Sequence, residues 1–261
     1  MALAPPLSPA PGRPTAAPVP TETVPLNVWP CAQVPISEQW TEAAYAIGSS
    51  VYSAALFPEL ARRIVATYTS PGDLVVEAAA GSGVAAVEAA RLHRRAVAVP
   101  PTDVLAALVT ANARRIVRRP ELVTVLAGDP EALTEVAAGS VSRAALVILA
   151  LPRRRPEASR LRWDTAAVVR GAHALLAPGG FLATVSRVAH IGDEFVDPSA
   201  TLVRVAETTG LFYLQHIVAL TASIRDGELI AAGQAMARGQ RHVVTHTDVQ
   251  VFRKPEAPRD V

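Results

Sequence analysis

Five short apolar runs set the limits on how this chain can fold. They are DLVVEAA from Asp73, RAVAV from Arg95, LVTVLA from Leu122, ALVILAL from Ala145 and FLATVSR from Phe181. Each has the length of a strand and is apolar almost without interruption, and a stretch of helical character separates each from the next. Such strands are buried on both faces, and strands that alternate with helices pair in parallel. Right-handed crossovers then wind the sheet in both directions from its first strand.

The intervening stretches carry helix signals. One runs from about Phe57 to Tyr68 and stops at Ser70-Pro71-Gly72; others run from the turn Gly81-Ser82-Gly83 to about Leu92, from Thr102 to about Val117, and from Glu131 to Ala138. Val168, Val169, Ala172, Leu175 and Leu176 form an i, i+3/i+4, i+7 stripe that would pack on a sheet, before Pro178-Gly179-Gly180 turns the chain. A helix from about Pro198 to Thr209 points Leu202, Val203 and Ala206 inward and ends at Gly210. The last two strand runs, LFYLQHIVALTA and HVVTHTDVQVF, have no helix between them and should pair antiparallel. The expected fold is α/β: a Rossmann-like sheet of seven strands, mostly parallel, with a terminal antiparallel pair and helices on both faces.

Ahead of this domain, residues 1–26 are rich in Pro, Ala and Thr and are expected to form a disordered or polyproline-like tail, leaving 27–261 as one domain. Trp29, Trp40, Tyr45 and Tyr52 should pack against the domain's edge. The 261 residues suffice for one good-sized core. No apolar run approaches the roughly 18–20 residues of a membrane span. The lone Cys31 permits no internal disulfide, and the proline-broken start does not read as a signal peptide, so a cytoplasmic location is expected. Formal charge is +2, and the basic residues are arginine except Lys254. That bias fits a GC-rich genome, so arginine number alone does not argue for a nucleic-acid partner.

The chemistry concentrates where the first core strand ends, in Glu77-Ala78-Ala79-Ala80-Gly81-Ser82-Gly83. An acid there can accept hydrogen bonds from a ligand ammonium, the glycines allow a tight turn and close backbone approach, and the next helix offers N–H groups to a carboxylate. An amino-acid moiety presents both groups. Tight strand-to-helix turns also use such glycines with no ligand present.

The stretch FPELARRIVATYTSPGDLVVEAAAGSGVAAVEAARLHRRAVAV resembles the corresponding part of the DNA amino-methyltransferases, which methylate exocyclic amines of adenine or cytosine from S-adenosylmethionine. The similarity continues through APGGFLATV and, more loosely, to VQVFRKP. It implies the methyltransferase form of the fold, with its seven strands and closing antiparallel pair, and S-adenosylmethionine as cofactor. The family's cofactor residues fall on Glu77, Ala79, Gly81, Ser82 and Gly83, and on Asp129 near the adenine ring.

The chain departs from the family pattern in three places. The Pro-Phe that follows the acid is Ala78-Ala79. The acid that takes the ribose hydroxyls is replaced by Pro100-Pro101, with Asp103 nearby as a substitute or simply as a helix cap. At the end of the fourth core strand, the family's Asp/Asn/Ser-Pro-Pro-Tyr/Phe tetrad reads Ala150-Leu151-Pro152-Arg153. That tetrad grips a flipped-out base, its polar residue accepting the amine's hydrogens and its aromatic stacking on the ring. Ala150 has no acceptor and Arg153 no aromatic ring, so base methylation is expected to be lost or altered. Arg153, Arg154 and Arg155 could still hold DNA phosphates, or form a solvated loop. The six histidines show no metal spacing; His242 and His246 share a strand face without a third ligand, and no metal is expected. Two rival readings remain: an active methyltransferase for an RNA, protein or small-molecule acceptor, and a non-catalytic module that binds nucleic acid or protein.

Overall fold

The computed structural model describes residues 26–53, 55–151, 164–191, 194–230 and 243–256. In chain order its elements are β1 (Val28–Pro30), α1 (Ile36–Glu42), α2 (Pro58–Tyr68), β2 (Leu74–Ala78), α3 (Val84–Arg91), β3 (Arg95–Val99), α4 (Asp103–Ile116), β4 (Val123–Val125) and α5 (Leu133–Val136). There follow β5 (Ala144–Ala150), α6 (Thr165–Leu175), β6 (Leu176–Ser186), β7 (Ala189–Ile191), β8 (Glu194–Val196), α7 (Ser199–Thr208), β9 (Phe212–Leu220), β10 (Ser223–Arg225), β11 (Glu228–Ile230) and β12 (His246–Arg253).

The main sheet has the order β1-β9-β12-β6-β5-β2-β3-β4. Every neighbouring pair is parallel except the two made by β12, which runs antiparallel between β6 and β9. The expected antiparallel pair is therefore present. The sheet has eight strands rather than seven, because three residues of the Trp29 segment add β1 to the β9 edge, pairing Val28 with Val218. Two short hairpins, β7–β8 and β10–β11, stand apart from the main sheet.

Both faces are covered. On one, α2, α3 and α4 bury Leu60, Ile64, Val84, Val87 and Val109 against Val75, Leu146 and Ile148. On the other, α5, α6 and α7 bury Leu133, Val168, Ala172 and Ala206 against Val76, Val147, Leu149 and Leu182. Successive strand residues point to opposite faces, so a strand with a layer on each face has no polar position to spare. β2 is buried along its whole length, Glu77 included. Among the described residues no helix is long and apolar enough to cross a membrane.

The stripe of the sixth helix is buried as expected, but the helix ends at Leu175. Leu176 already pairs with Ala144 and the register then jumps to Leu146–Phe181, so Pro178-Gly179-Gly180, with Gly179 at φ 78°, forms an irregularity within β6 rather than a turn before it. The sole lysine closes this joint: Lys254 Nζ donates to the carbonyls of His173 and Leu176 at 2.9 and 2.8 Å, satisfying helix-end acceptors.

A buried amide ties α7 to the sheet. Gln250 in β12 is fully buried; its Oε1 accepts from Thr184 Oγ1 and its Nε2 donates to Ser199 Oγ, both at 2.9 Å. Gln250→Ala removes the amide that joins the buried Thr184 hydroxyl to half-buried Ser199 and leaves a cavity, so it should lower unfolding free energy by about 2–3 kcal/mol, measured by urea denaturation. An unchanged midpoint would contradict this role.

Candidate functional site

The strands β2, β3 and β4 lie on one side of the sheet's centre and β5 and β6 on the other, so the chain reverses its winding direction between β2 and β5. Crevices for ligands open beyond the carboxyl ends of parallel strands at such a reversal. The segments that meet at this edge are Ala78–Gly83 after β2, Pro100–Thr102 after β3, Leu126–Asp129 after β4 and Ala150–Leu151 at the end of β5. Hydrogen bonds lace them together: Ala80 N to Val99 O, Leu126 N to Ala98 O and Gly128 N to Pro100 O, at 2.9–3.0 Å.

The sequence motif therefore arrives where expected, but its side chains are engaged by the protein itself. Glu77 is buried, and its Oε2 accepts from Ala86 N at 2.9 Å. The carboxylate sits against the positive end of α3, yet burial dominates: it pushes the carboxyl up to about 7, while the Ala86 and Ala85 N–H groups pull it down. The acid thus holds the helix N–H groups that a ligand carboxylate was expected to use.

The glycines behave similarly. A Cβ on Gly81 would stand 1.6 Å from the carbonyl oxygen of Tyr52, so the close backbone approach is made by the chain's own residues 52–53. Gly83 has φ 76°, and a Cβ there would meet the Val109 side chain at 2.6 Å. Ala79 takes φ 53° without being glycine. Ser82 is fully buried, and its hydroxyl has no hydrogen-bond partner among the described residues.

The two further acids lie open. Asp103 is exposed in the first turn of α4; the cap itself is Thr102, whose Oγ1 accepts from Leu105 N at 3.3 Å. Asp129 is exposed after β4, one oxygen accepting from Glu131 N at 2.9 Å. Ala150 is half-buried and packs against the α2–α4 layer, while Leu151 packs against the other. Pro152, Arg153, Arg154, Arg155 and His242 lie outside the described residues. A cavity of about 410 Å³ sits elsewhere, between α4 and β4, lined by Thr110, Arg114, Glu121 and Val123. The carboxyl edge, with its converging loops, is the better candidate because that space lacks the glycine turn.

Strand register also assembles a polar group that the sequence reading passed over. His216 of β9 and Asp248 of β12 approach to 2.9 Å between Nε2 and Oδ1, and His246 Nε2 lies 3.6 Å from Oδ2 of the same carboxylate. Asp248 is buried and aligns with Ser186 at the end of β6. It therefore stands two strand spacings, roughly 10 Å, from the end of β5. The alternation of His246 and Asp248 was visible in the sequence; the arrival of His216 depends on the β9–β12 register and was not.

The comparisons with known proteins agree with this architecture. A family model described as DNA methylase matches residues 8–100, the region that ends with β3. Over those residues the chain matches the DNA methylase family. No curated protein matches it. Among solved structures, the 4+2 cyclase SpnF is similar at a TM-score of 0.54 and 14% identity, covering 85% of this chain and 94% of that one. A geranyl diphosphate methyltransferase in complex with GPP and sinefungin is similar at 0.53 and 14%, covering 74% and 76%. TrmN from Thermus thermophilus is similar at 0.53 and 20%, covering 77% of this chain and 50% of TrmN. These likenesses establish the fold, and their names span more than one activity, so the fold alone does not select a reaction.

Two measurements follow. Gly83→Val forces a side chain into Val109 from a left-handed backbone; the expected outcome is loss of soluble folded protein by circular dichroism, not a folded protein with a blocked site. Glu77 binds its proton more tightly folded, at about 7, than in the unfolded chain near 4.5. Its contribution is thus full below pH 4.5 and lost as pH rises to 7, a fall of about 3 kcal/mol. Glu77→Gln should abolish that slope and be the more stable protein at pH 8. Parallel curves for the two proteins would show that the carboxyl does not titrate in this window.

Proposed function

We propose that the carboxyl edge is a site for S-adenosylmethionine, on a DNA methylase-like chain that no longer methylates bases. One observation carries the first half: the glycine turn stands at the winding reversal, inside the region that the DNA methylase model matches. The half-exposed backbone at Ala79 and Gly81 would meet the methionine end of the cofactor, Asp129 the adenine and Asp103 the ribose. Glu77 would act from beneath, holding the start of α3 rather than the ligand ammonium. The buried, unpartnered Ser82 hydroxyl is a polar atom left open in the same loop. When bound, the cofactor supplies an electrophilic methyl group.

The second half rests on Ala150. An exocyclic amine becomes nucleophilic when acceptors draw on its hydrogens, and a methyl side chain packed into the core offers none. Positioned hydrogen-bonding groups of this kind contribute roughly 10²–10⁴-fold. Isothermal titration calorimetry with S-adenosylmethionine and S-adenosylhomocysteine tests the cofactor; absence of heat or thermal shift at millimolar ligand would sink it. Radiolabelled transfer to mixed-sequence single- and double-stranded DNA, read by nucleoside mass spectrometry, should give no methylated adenine or cytosine. Robust product would make the chain a working DNA methyltransferase with an unfamiliar motif.

For DNA itself, we propose only phosphate contacts through Arg153, Arg154 and Arg155. Binding should be weak, sequence-independent and salt-sensitive, and neutralising the three together should flatten its salt slope. A sequence-specific footprint at physiological salt would contradict this. A second reading is favoured by the His216–Asp248–His246 group: methylation of a small molecule lying between Leu151 and β12. There Asp248 fixes the His216 tautomer and leaves Nδ1 as a proton acceptor. Asp248→Asn should then suppress transfer to that acceptor while leaving S-adenosylhomocysteine binding intact.

A further inference from the structure

Asn112 is an improbable residue for its place. It sits in the third turn of α4, fully buried, between the apolar positions Val109 and Ala113. A buried primary amide is tolerated only when its donors and acceptor are used. Here they are used across three separate segments. Nδ2 donates to the carbonyl of Ser82 in the glycine turn at 2.9 Å and to Ser49 Oγ at 3.1 Å, and Oδ1 accepts from Ala46 N at 2.9 Å.

Ala46 and Ser49 belong to a strap, residues 44–53, that crosses the turn. Other contacts pin it at its start: Arg115 Nε donates to Ala44 O at 2.8 Å, and Tyr45 Oη donates to Glu88 Oε1 at 3.0 Å. At its far end the Tyr52 carbonyl lies against Gly81 so closely that no side chain fits there. Between these points Ile47 and Val51 project into solvent. Tyr45 anchors the start of the strap in the core, beside Trp40, and beyond it the strap is held by its backbone and a few polar atoms; Asn112 is the only described group that touches strap and turn at once through hydrogen bonds.

We propose that Asn112 is the positioning residue of the ligand loop, clamping the strap onto the glycine turn so that strap docking and loop shape are one equilibrium. The consequence for ligand rests on the cofactor reading above: a molecule that binds the Ala79–Gly83 backbone also orders residues 44–53. The clamp itself is tested without ligand, by hydrogen exchange and mass spectrometry on the full chain.

Asn112→Leu removes every bond of the amide while keeping its branching in a somewhat larger side chain; Ser49→Ala removes only the contacts of the Ser49 hydroxyl and leaves Asn112 in place. Expected in both is faster exchange in residues 44–53 and 79–84 together, about tenfold or more for Asn112→Leu, with α6 and β12 unchanged. Should Asn112→Leu fail to fold, Ser49→Ala alone decides. Faster exchange in the strap with an unchanged turn, or a uniform rise that includes α6 and β12, overturns the clamp; the second result would mean a merely structural amide. Added S-adenosylhomocysteine should slow both segments of the wild type. If it slows the turn and not the strap, the coupling is refuted. If it produces no protection and no heat while the apo variants behave as expected, the clamp stands and the cofactor reading falls.

Discussion

The whole carboxyl edge hangs from the reversal between β2 and α3. β2 is an interior strand covered on both faces, so its last residues have no solvent to turn into. The chain must reverse within five residues and start a helix whose first N–H groups would be unsatisfied in a dry layer. Glu77 solves that problem from the strand itself, bonding Ala86 N from below. The solution sets a carboxyl in a site that favours its neutral form, and it fixes α3 relative to β2. The positions of Ala79–Gly83, and of the strap lying over them, follow from that joint.

How far the sequence could be read follows from the range of each interaction. Apolar runs of strand length and helix stripes depend on neighbours along the chain, and DLVVEAA, RAVAV, ALVILAL and FLATVSR all became strands in one parallel sheet. β1 escaped because three residues carry no periodicity; its pairing with Val218–Leu220 is set by the far side of the sheet. The α6–β6 joint escaped because Pro178-Gly179-Gly180 marks the bend, although the strand begins before it and Lys254 takes the helix-end carbonyls of His173 and Leu176. At the site, the motif's location was legible and its contacts were not. Which atoms Glu77, Gly81 and Asn112 meet is decided by how the turn folds back on itself and by packing against segments distant along the chain.

The two sides of the crevice now differ in kind. On the β2–β4 side the polar groups are mostly consumed by the fold, with Asp103 and Asp129 left exposed. On the β6–β12 side a buried carboxylate stands between two imidazoles that reach solvent, and Arg187 crosses the edge to donate to Val244 O at 2.8 Å. The resemblance to the DNA amino-methyltransferases would put the acceptor for the amine at the end of β5, between these two sides. That position holds Ala150 and Leu151, which face opposite cores. Among the described residues, His216, Asp248 and His246 gather instead toward β9 and β12.

This arrangement changes what a glycine-rich turn can signify. In the ligand reading, Gly81 and Gly83 are small so that a cofactor can come close. In this structure they are small because Tyr52 and Val109 come close, and either would be violated by a single methyl group. The requirement holds whether or not a ligand binds, so the motif alone cannot separate a working methyltransferase from a chain that has kept only its fold. What separates them is chemistry that packing does not demand: an acceptor at the end of β5, acids that face the ribose and adenine, a base that reaches the nucleophile. Set against the resemblance, Pro100-Pro101 stands where an acid is expected at the ribose, Ala150 stands where an acceptor is expected for the amine, and the His216–Asp248 pair adds a polar group near the same edge.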